Sequence, residues 1–160
     1  KDAVQSAVLA AEVAAYYKAQ GKTLYDGLLD IFAEYGYYKE SLSSLTLKGK
    51  EGSEKIAEIL AKFRANPLKQ VAGANVVAIE DYQSQIRTNV QTGETSPIDL
   101  PISNVLKFFL EDGSWFCMRP SGTEPKAKFY FGVKAASLEE SEKWNQQLQE
   151  EVMSIVNKMI

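Results

Sequence analysis

Apolar residues recur at helical spacing near both ends of this chain and at alternating spacing in its second half. Val4, Val8, Ala11 and Ala15 share one helical face, so residues 1–21 are predicted to be a helix. Asp2 can cap its start, with Gln5 three residues on, and Gly21 suits its stop. Thr23 caps a second helix, with Leu24, Leu28, Ile31, Phe32 and Tyr35 facing inward and Gly36 ending it. These two helices form a hairpin with no sheet of its own, and the alanine-rich first helix predicts close packing against something apolar. Tyr37 to Leu47 reads as an extended connector or a strand. Residues 51–64 carry Ile56, Ile59, Leu60 and Phe63 as the stripe of a third helix, which Asn66-Pro67 breaks.

The pattern then changes to period two. Four strands are predicted: Val71–Tyr82, Asn104–Glu111, Ser114–Met118 and Lys126–Lys134. In the second, Leu106, Phe108 and Leu110 lie on one face, with Lys107 and Phe109 on the other. Asp112-Gly113 marks a tight turn into the third. In the fourth, Phe129, Phe131 and Val133 point inward. Ser84–Pro101 is a long polar segment with room for a loose hairpin. A last helix opens on the capping pair Ser137 and Glu140 and shows Trp144, Leu148, Val152, Ile155 and Met159 along one face. The expected fold class is therefore α+β: an antiparallel four-stranded sheet covered on one face by two helices, preceded by a helical hairpin. The domain boundary falls near residues 37–48, and no internal repeat interrupts the reading.

Composition narrows the chemistry. A chain of 160 residues with 45% hydrophobic content can bury one core with a smaller unit attached. Its formal charge of −3 gives no general attraction to nucleic acid or acidic membranes, so those partners are not expected. No apolar run reaches the roughly 20 residues of a membrane helix. The chain contains no His and a single Cys, Cys117, which excludes a His-based triad and a zinc site of the usual kind within it. Cys117 lies between Phe116 and Met118 and reads as a buried core thiol, a usage that fits a reducing, cytoplasmic setting.

The one stretch with pronounced chemistry is Arg119-Pro120-Ser121-Gly122-Thr123-Glu124-Pro125. Arg119 offers a planar fork of donors suited to a phosphate. Ser121 and Thr123 add hydroxyls, Gly122 allows close backbone approach, and the two prolines stiffen the ends. Lys126 and Lys128 follow, on one side of a strand by alternation. The same residues also read as a polar turn between two strands, and composition does not separate the two readings.

The wider wording of this region does. Met118 through Tyr130, without a break, resembles the phosphate-binding loop of the α-D-phosphohexomutase superfamily, the phosphoglucomutases and phosphomannomutases. Ser103–Phe108 and Asp112–Trp115 are similar to the same family, as are Lys1–Val4 and Ala14–Lys22. With Tyr35–Tyr38, the start is most similar to the branch of large bacterial phosphoglucomutases and related phosphopentomutases. The resemblance implies the C-terminal portion of a longer enzyme: residues 1–40 the helical end of a preceding third domain, and 41–160 the phosphate-binding domain. It also implies a TATA-binding-protein-like shape for that last domain, without DNA binding.

Carried over position by position, the resemblance makes Arg119, Ser121, Gly122, Thr123 and Lys128 the substrate-phosphate contacts, and Lys1 a possible substrate contact. Glu124 is expected to turn away and pair with a lysine, because a carboxylate beside phosphate is repulsive. The family interconverts glucose 1-phosphate and glucose 6-phosphate through a bisphosphorylated intermediate, with a phosphoserine donor and magnesium held by aspartates. None of those catalytic or metal motifs occurs in this chain, so no catalytic residue and no metal ligand is assigned here. The implied partners are a phosphorylated sugar and the remaining domains of the same enzyme, and the chain alone is expected to be inactive. A phosphopentomutase, a phosphomannomutase, a stand-alone anion-binding module and a helical adaptor acting through residues 1–36 are the competing readings.

Overall fold

The computed structural model describes residues 2–160, which divide into two compact units, one ending at Tyr37 and the other spanning Tyr38–Ile160. Lys1 lies outside the described residues.

The first unit is two helices, α1 (Ala3–Ala19) and α2 (Leu24–Tyr35). Asp2 accepts the Gln5 N–H at 2.9 Å, and Thr23 and Asp26 form a reciprocal capping box. The helices meet where the Tyr17 ring lies against Gly27; a Cβ at 27 would stand 2.3 Å from that ring. Among the described residues the apolar face of the hairpin is largely exposed. No residue of α1 is buried, Val4 is 77% exposed, and Leu24, Leu28, Ile31 and Tyr35 are exposed as well. A two-helix hairpin offers each helix only one neighbour, which leaves most of each circumference in solvent.

The second unit is built from β1 (Tyr37–Thr46), α3 (Gly49–Ala65), β2 (Gln70–Val71), β3 (Ala74–Asp81), β4 (Ile86–Asn89), β5 (Thr95–Pro97), β6 (Leu106–Leu110), β7 (Trp115–Pro120), β8 (Lys126–Ala135) and α4 (Leu138–Asn157). The sheet runs β1-β8-β7-β6-β3-β4-β5, with β2 paired to β3. The four anticipated strands are its contiguous centre, β3, β6, β7 and β8, and they pair antiparallel. The sheet has eight strands rather than four. Tyr37–Leu47, read as a connector or a strand, supplies the edge strand β1, Ser84–Pro101 supplies the hairpin β4–β5, and the turn at Ala72-Gly73 splits the first expected strand into β2 and β3. The bond from the Leu47 N–H to the Pro125 carbonyl at one end, and Lys134 over the Tyr38 ring at the other, make β1 antiparallel to β8.

Both α3 and α4 cover one face. Ile56, Ile59, Leu60 and Phe63 of α3 and Leu148, Val152 and Val156 of α4 share a single core with alternate residues of β6, β7 and β8. Phe108 and Phe116 stack at 4.6 Å in its middle. The Arg64 fork binds Asp81 at 3.1 and 3.2 Å and Asn104 at 2.7 Å, pinning the end of α3 to β3. Trp144 donates to the buried Ser114 hydroxyl, which donates to Asp112, so α4 is fixed over the β6–β7 turn.

The other sheet face is covered by neither α3 nor α4. It carries Lys107, Phe109, Trp115, Cys117, Arg119, Lys128 and Tyr130. Lys107 stands 4.7 Å from the Phe109 ring and 4.4 Å from the Trp115 ring, and Arg87 covers Phe109 from its own side at 4.8 Å. Cys117 belongs to this face and is half-buried, not in the core. Alternation puts Phe116 and Met118 inward and Cys117 outward, where burial by its neighbours still raises the thiol pKa, opposed by the Lys107 ammonium.

Candidate functional site: an anion cradle between β7 and β8

The β7–β8 connection takes its geometry from the strands that lead into it. Arg119 is the last outward residue of β7 before Pro120, and it sits directly across from Lys128 of β8. Cross-strand partners have Cβ atoms about 5 Å apart on the same face, so the two cations project side by side. Lys126 and Tyr130 lie on the same side of β8, two residues either way from Lys128. Together with Pro120, Ser121, Gly122 and Glu124 they line a cavity of about 300 Å³. Arg119, Lys126 and Lys128 form no ion pair among the described residues, whereas Arg64 and Arg87 are matched to carboxylates. Three unneutralised cations facing one hollow make a local positive field in a chain of net charge −3.

The loop itself is ordered by its own serine. The Ser121 hydroxyl oxygen accepts the backbone N–H groups of Thr123 and Glu124 at 3.4 and 3.3 Å, and its hydrogen stays free to donate. The Ser121 N–H donates to the Lys126 carbonyl at 2.7 Å, closing the hairpin. The Gly122 N–H and the Thr123 hydroxyl have no partner among the described residues. Gly122 keeps ordinary negative φ, and a Cβ there would meet nothing within 4 Å. It matters for access to the backbone rather than for chain direction.

The cradle therefore brings together Arg119, Ser121, Gly122 and Lys128, while Thr123 lies on the loop's other side. A second hollow of about 350 Å³ opens there, lined by Ser53, Ile56 and Ala57 of α3, by Asn104, and by residues 120–126, Thr123 included. Glu124 departs from the expectation of a lysine partner. It forms no ion pair among the described residues and borders both hollows. Its loop position leaves it two residues from Lys126 on a turn rather than opposite it on a strand. Lys1 falls outside the described residues. Tyr130 and Lys126 complete the lining without having been singled out as contacts; the alternation that selected Lys128 also selects both.

Further along the open face, Glu80 pairs with Arg87 at 2.5 Å and accepts the Tyr82 hydroxyl at 2.7 Å. Burial first, and then this carboxylate, pushes the Tyr82 pKa up to about 12. In this cluster the Glu80 carboxylate is shared between Arg87 and Tyr82. Among the described residues no three His, Cys, Asp or Glu side chains converge as metal ligands. The magnesium implied by the resemblance meets no such cluster among the described residues. No helix among the described residues is long and apolar enough to cross a membrane.

Residues 48–154 match the family model for the phosphoglucomutase/phosphomannomutase C-terminal domain. The chain is 41% identical over 140 residues to a phosphoglucomutase of Staphylococcus aureus (strain bovine RF122 / ET3-1), covering 88% of this chain and 25% of that protein. It is equally similar, at 41% over the same length, to the phosphoglucomutase of strain USA300. A phosphoglucomutase of Staphylococcus epidermidis is 40% identical over 133 residues, 83% of this chain and 24% of that protein. The chain thus spans about a quarter of the length of the curated relatives it matches.

Proposed function

The chain belongs to the phosphoglucomutase/phosphomannomutase family, as its C-terminal domain, and from that premise we propose that it binds the substrate phosphate of a phosphoglucomutase interconverting glucose 1-phosphate and glucose 6-phosphate. The observation that carries the reading is the cross-strand pair Arg119 and Lys128, unpaired with any carboxylate and facing one cavity with Lys126 and the loop donors. A phosphate monoester carries close to two negative charges at neutral pH. Arg119 would grip two of its oxygens, Lys128 would add a second charge, and Ser121 and Gly122 would donate hydroxyl or backbone hydrogens, while Thr123, on the loop's other side, is left out of this contact.

The cradle supplies positive charge and hydrogen-bond donors. It suits the phosphate that stays in place while the one at the other end of the sugar is transferred. Gripping the remote phosphate fixes the reacting end and helps exclude water, so binding energy is used for positioning. Phosphoryl donor, sugar-reading groups and the magnesium that neutralises the transferred phosphate belong to segments outside this chain. The exposed face of α1 and α2 is assigned to the third domain of the same cytoplasmic enzyme, with residues 1–40 as that domain's end and 41–160 as the phosphate-binding domain. The chain alone is inactive as a mutase.

Titrating the labelled chain with glucose 6-phosphate tests this. Amide shifts centred on residues 119–128, with no conversion to glucose 1-phosphate above a blank, are expected. Shifts confined to residues 1–36, elicited by a protein partner and not by the sugar phosphate, would replace the reading with a helical adaptor. Turnover by the pure chain would end the claim that catalysis lies elsewhere.

A further inference from the structure

The cradle loop is tied to the rest of its unit by one hydrogen bond outside its own hairpin and strand ladder. The Leu47 N–H, one residue beyond the end of β1, donates to the Pro125 carbonyl at 3.0 Å. All other hydrogen bonds of residues 121–125 among those described stay within the β7–β8 turn. The placement of Leu47 is itself imposed by close contact with α3. A Cβ on the buried Gly52 would lie 2.7 Å from the Leu47 carbonyl carbon, 2.8 Å from its Cβ and 2.9 Å from its carbonyl oxygen. Two of those three atoms are backbone and cannot rotate aside. Helix α3 continues along the same loop, since Ser53, Ile56 and Ala57 face residues 120–126 across the second hollow.

Gly52 is an unfavourable choice on local grounds. It lies in the first turn of α3, and glycine is a poorer helix former than alanine. Its φ is not positive, so backbone conformation does not require it. The requirement is the absent side chain, and what that absence permits is the seat of Leu47 against the first turn of α3.

We propose that Gly52 is a positioning residue for phosphate binding: by letting Leu47 seat on α3, it sets the Leu47–Pro125 tether and thereby the second leg of the cradle loop. Any side chain at 52 displaces the Leu47 backbone by several tenths of an ångström or more. Pro125 follows, and with it Lys126 and Lys128 relative to Arg119. Arg119 sits on the other leg and stays with β7. The relation between the two legs is what a bidentate phosphate contact depends on, so affinity should suffer before folding does. The inference rests on the phosphate-binding reading above and names a residue that touches no ligand.

The test compares Gly52→Ala with Val152→Ala, a buried change in α4 far along the chain from the loop. Hydrogen exchange at the Leu47 amide and the glucose 6-phosphate dissociation constant are measured for each. Gly52→Ala is expected to lose protection at Leu47, shift the amides of residues 121–126, and weaken binding on the order of tenfold, the effect of losing one well-placed charged contact. Val152→Ala should lower the unfolding midpoint while the folded protein binds as before. Should Gly52→Ala fail to fold, Leu47→Pro removes the donor with Gly52 intact and should weaken binding to the same degree. Native Leu47 protection in Gly52→Ala, or native affinity in either tether variant, overturns the proposal. A wild-type chain that ignores glucose 6-phosphate would instead sink the phosphate-binding reading; the Leu47 and loop signals of Gly52→Ala still decide whether the tether exists.

Discussion

Arg119 owes its role to where β7 ends. Its side chain is exposed, faces Lys128 across the ladder, and has no carboxylate of its own. Replacing it with alanine should cost about 2–5 kcal/mol in kcat/KM of the full-length enzyme, because a charged phosphate contact is lost. Arg119→Lys should recover part of this, keeping the charge but not the fork. Kinetics of the two variants, with an unchanged value for Arg119→Ala removing it from the site, decide the point. Most of this cradle was legible as letters: a fork donor, two hydroxyls, a glycine and a lysine between two strands. What the letters did not carry was the behaviour of Glu124. Repulsion from phosphate argues for a lysine partner, but the carboxylate borders two hollows and forms no ion pair among the described residues. Cys117 was likewise misread, because an apolar run says nothing about which of two faces a strand residue takes when both are partly covered.

At the scale of elements, the strands that were found in advance are those with one apolar face: β6 and β8 alternate because one side meets α3 and α4. β1 lacked that signal for a physical reason. Its inward residues Ser41 and Ser43 are polar, and Gln149 of α4 bonds both, at 3.0 and 2.7 Å. Asn145 reaches the Lys39 carbonyl, and Lys39 pairs with Glu142. An edge strand docked by side-chain hydrogen bonds leaves no hydrophobic period to read. The open face is stabilised differently, by cations laid on rings. Its keystone is Gly132, where a Cβ would stand 2.4–2.6 Å from the Trp115 indole. Gly132→Ala should lift Trp115 from the sheet, release one ring from Lys107, and destabilise the fold by about 1–3 kcal/mol, the usual cost of overpacking. A lower denaturation midpoint with altered tryptophan emission is the expected outcome; native values for both would mean the indole has room to slide.

The whole molecule joins two units of unequal self-sufficiency. Tyr38–Ile160 contains the entire buried hydrophobic core, from Ile56 to Val156, together with the cradle. Among its described residues the helical unit buries only Gly27, and it exposes Val4, Val8, Leu9, Tyr16, Leu28 and Ile31, a surface of the kind that calls for a partner. Helices this short are marginal without tertiary packing. The amphipathic pattern of α2 was therefore real in the sequence, but it described a contact that these residues alone do not supply. Removing residues 1–36 should leave a protein that unfolds in one transition at nearly the original temperature and binds glucose 6-phosphate with unchanged affinity. It should also abolish the binding of a hydrophobic dye such as ANS that is expected of the intact chain. Calorimetry, titration and fluorescence on the two chains separate the outcomes. Collapse of the shortened chain would mean that β1 depends on the helices before it. Persistent dye binding would place the exposed apolar surface on the sheet unit instead, at Ile86, Leu100 and Ile102, which are also exposed. The expected division assigns anion binding to the sheet unit and partner contact to the helical one, so that each can be lost without the other.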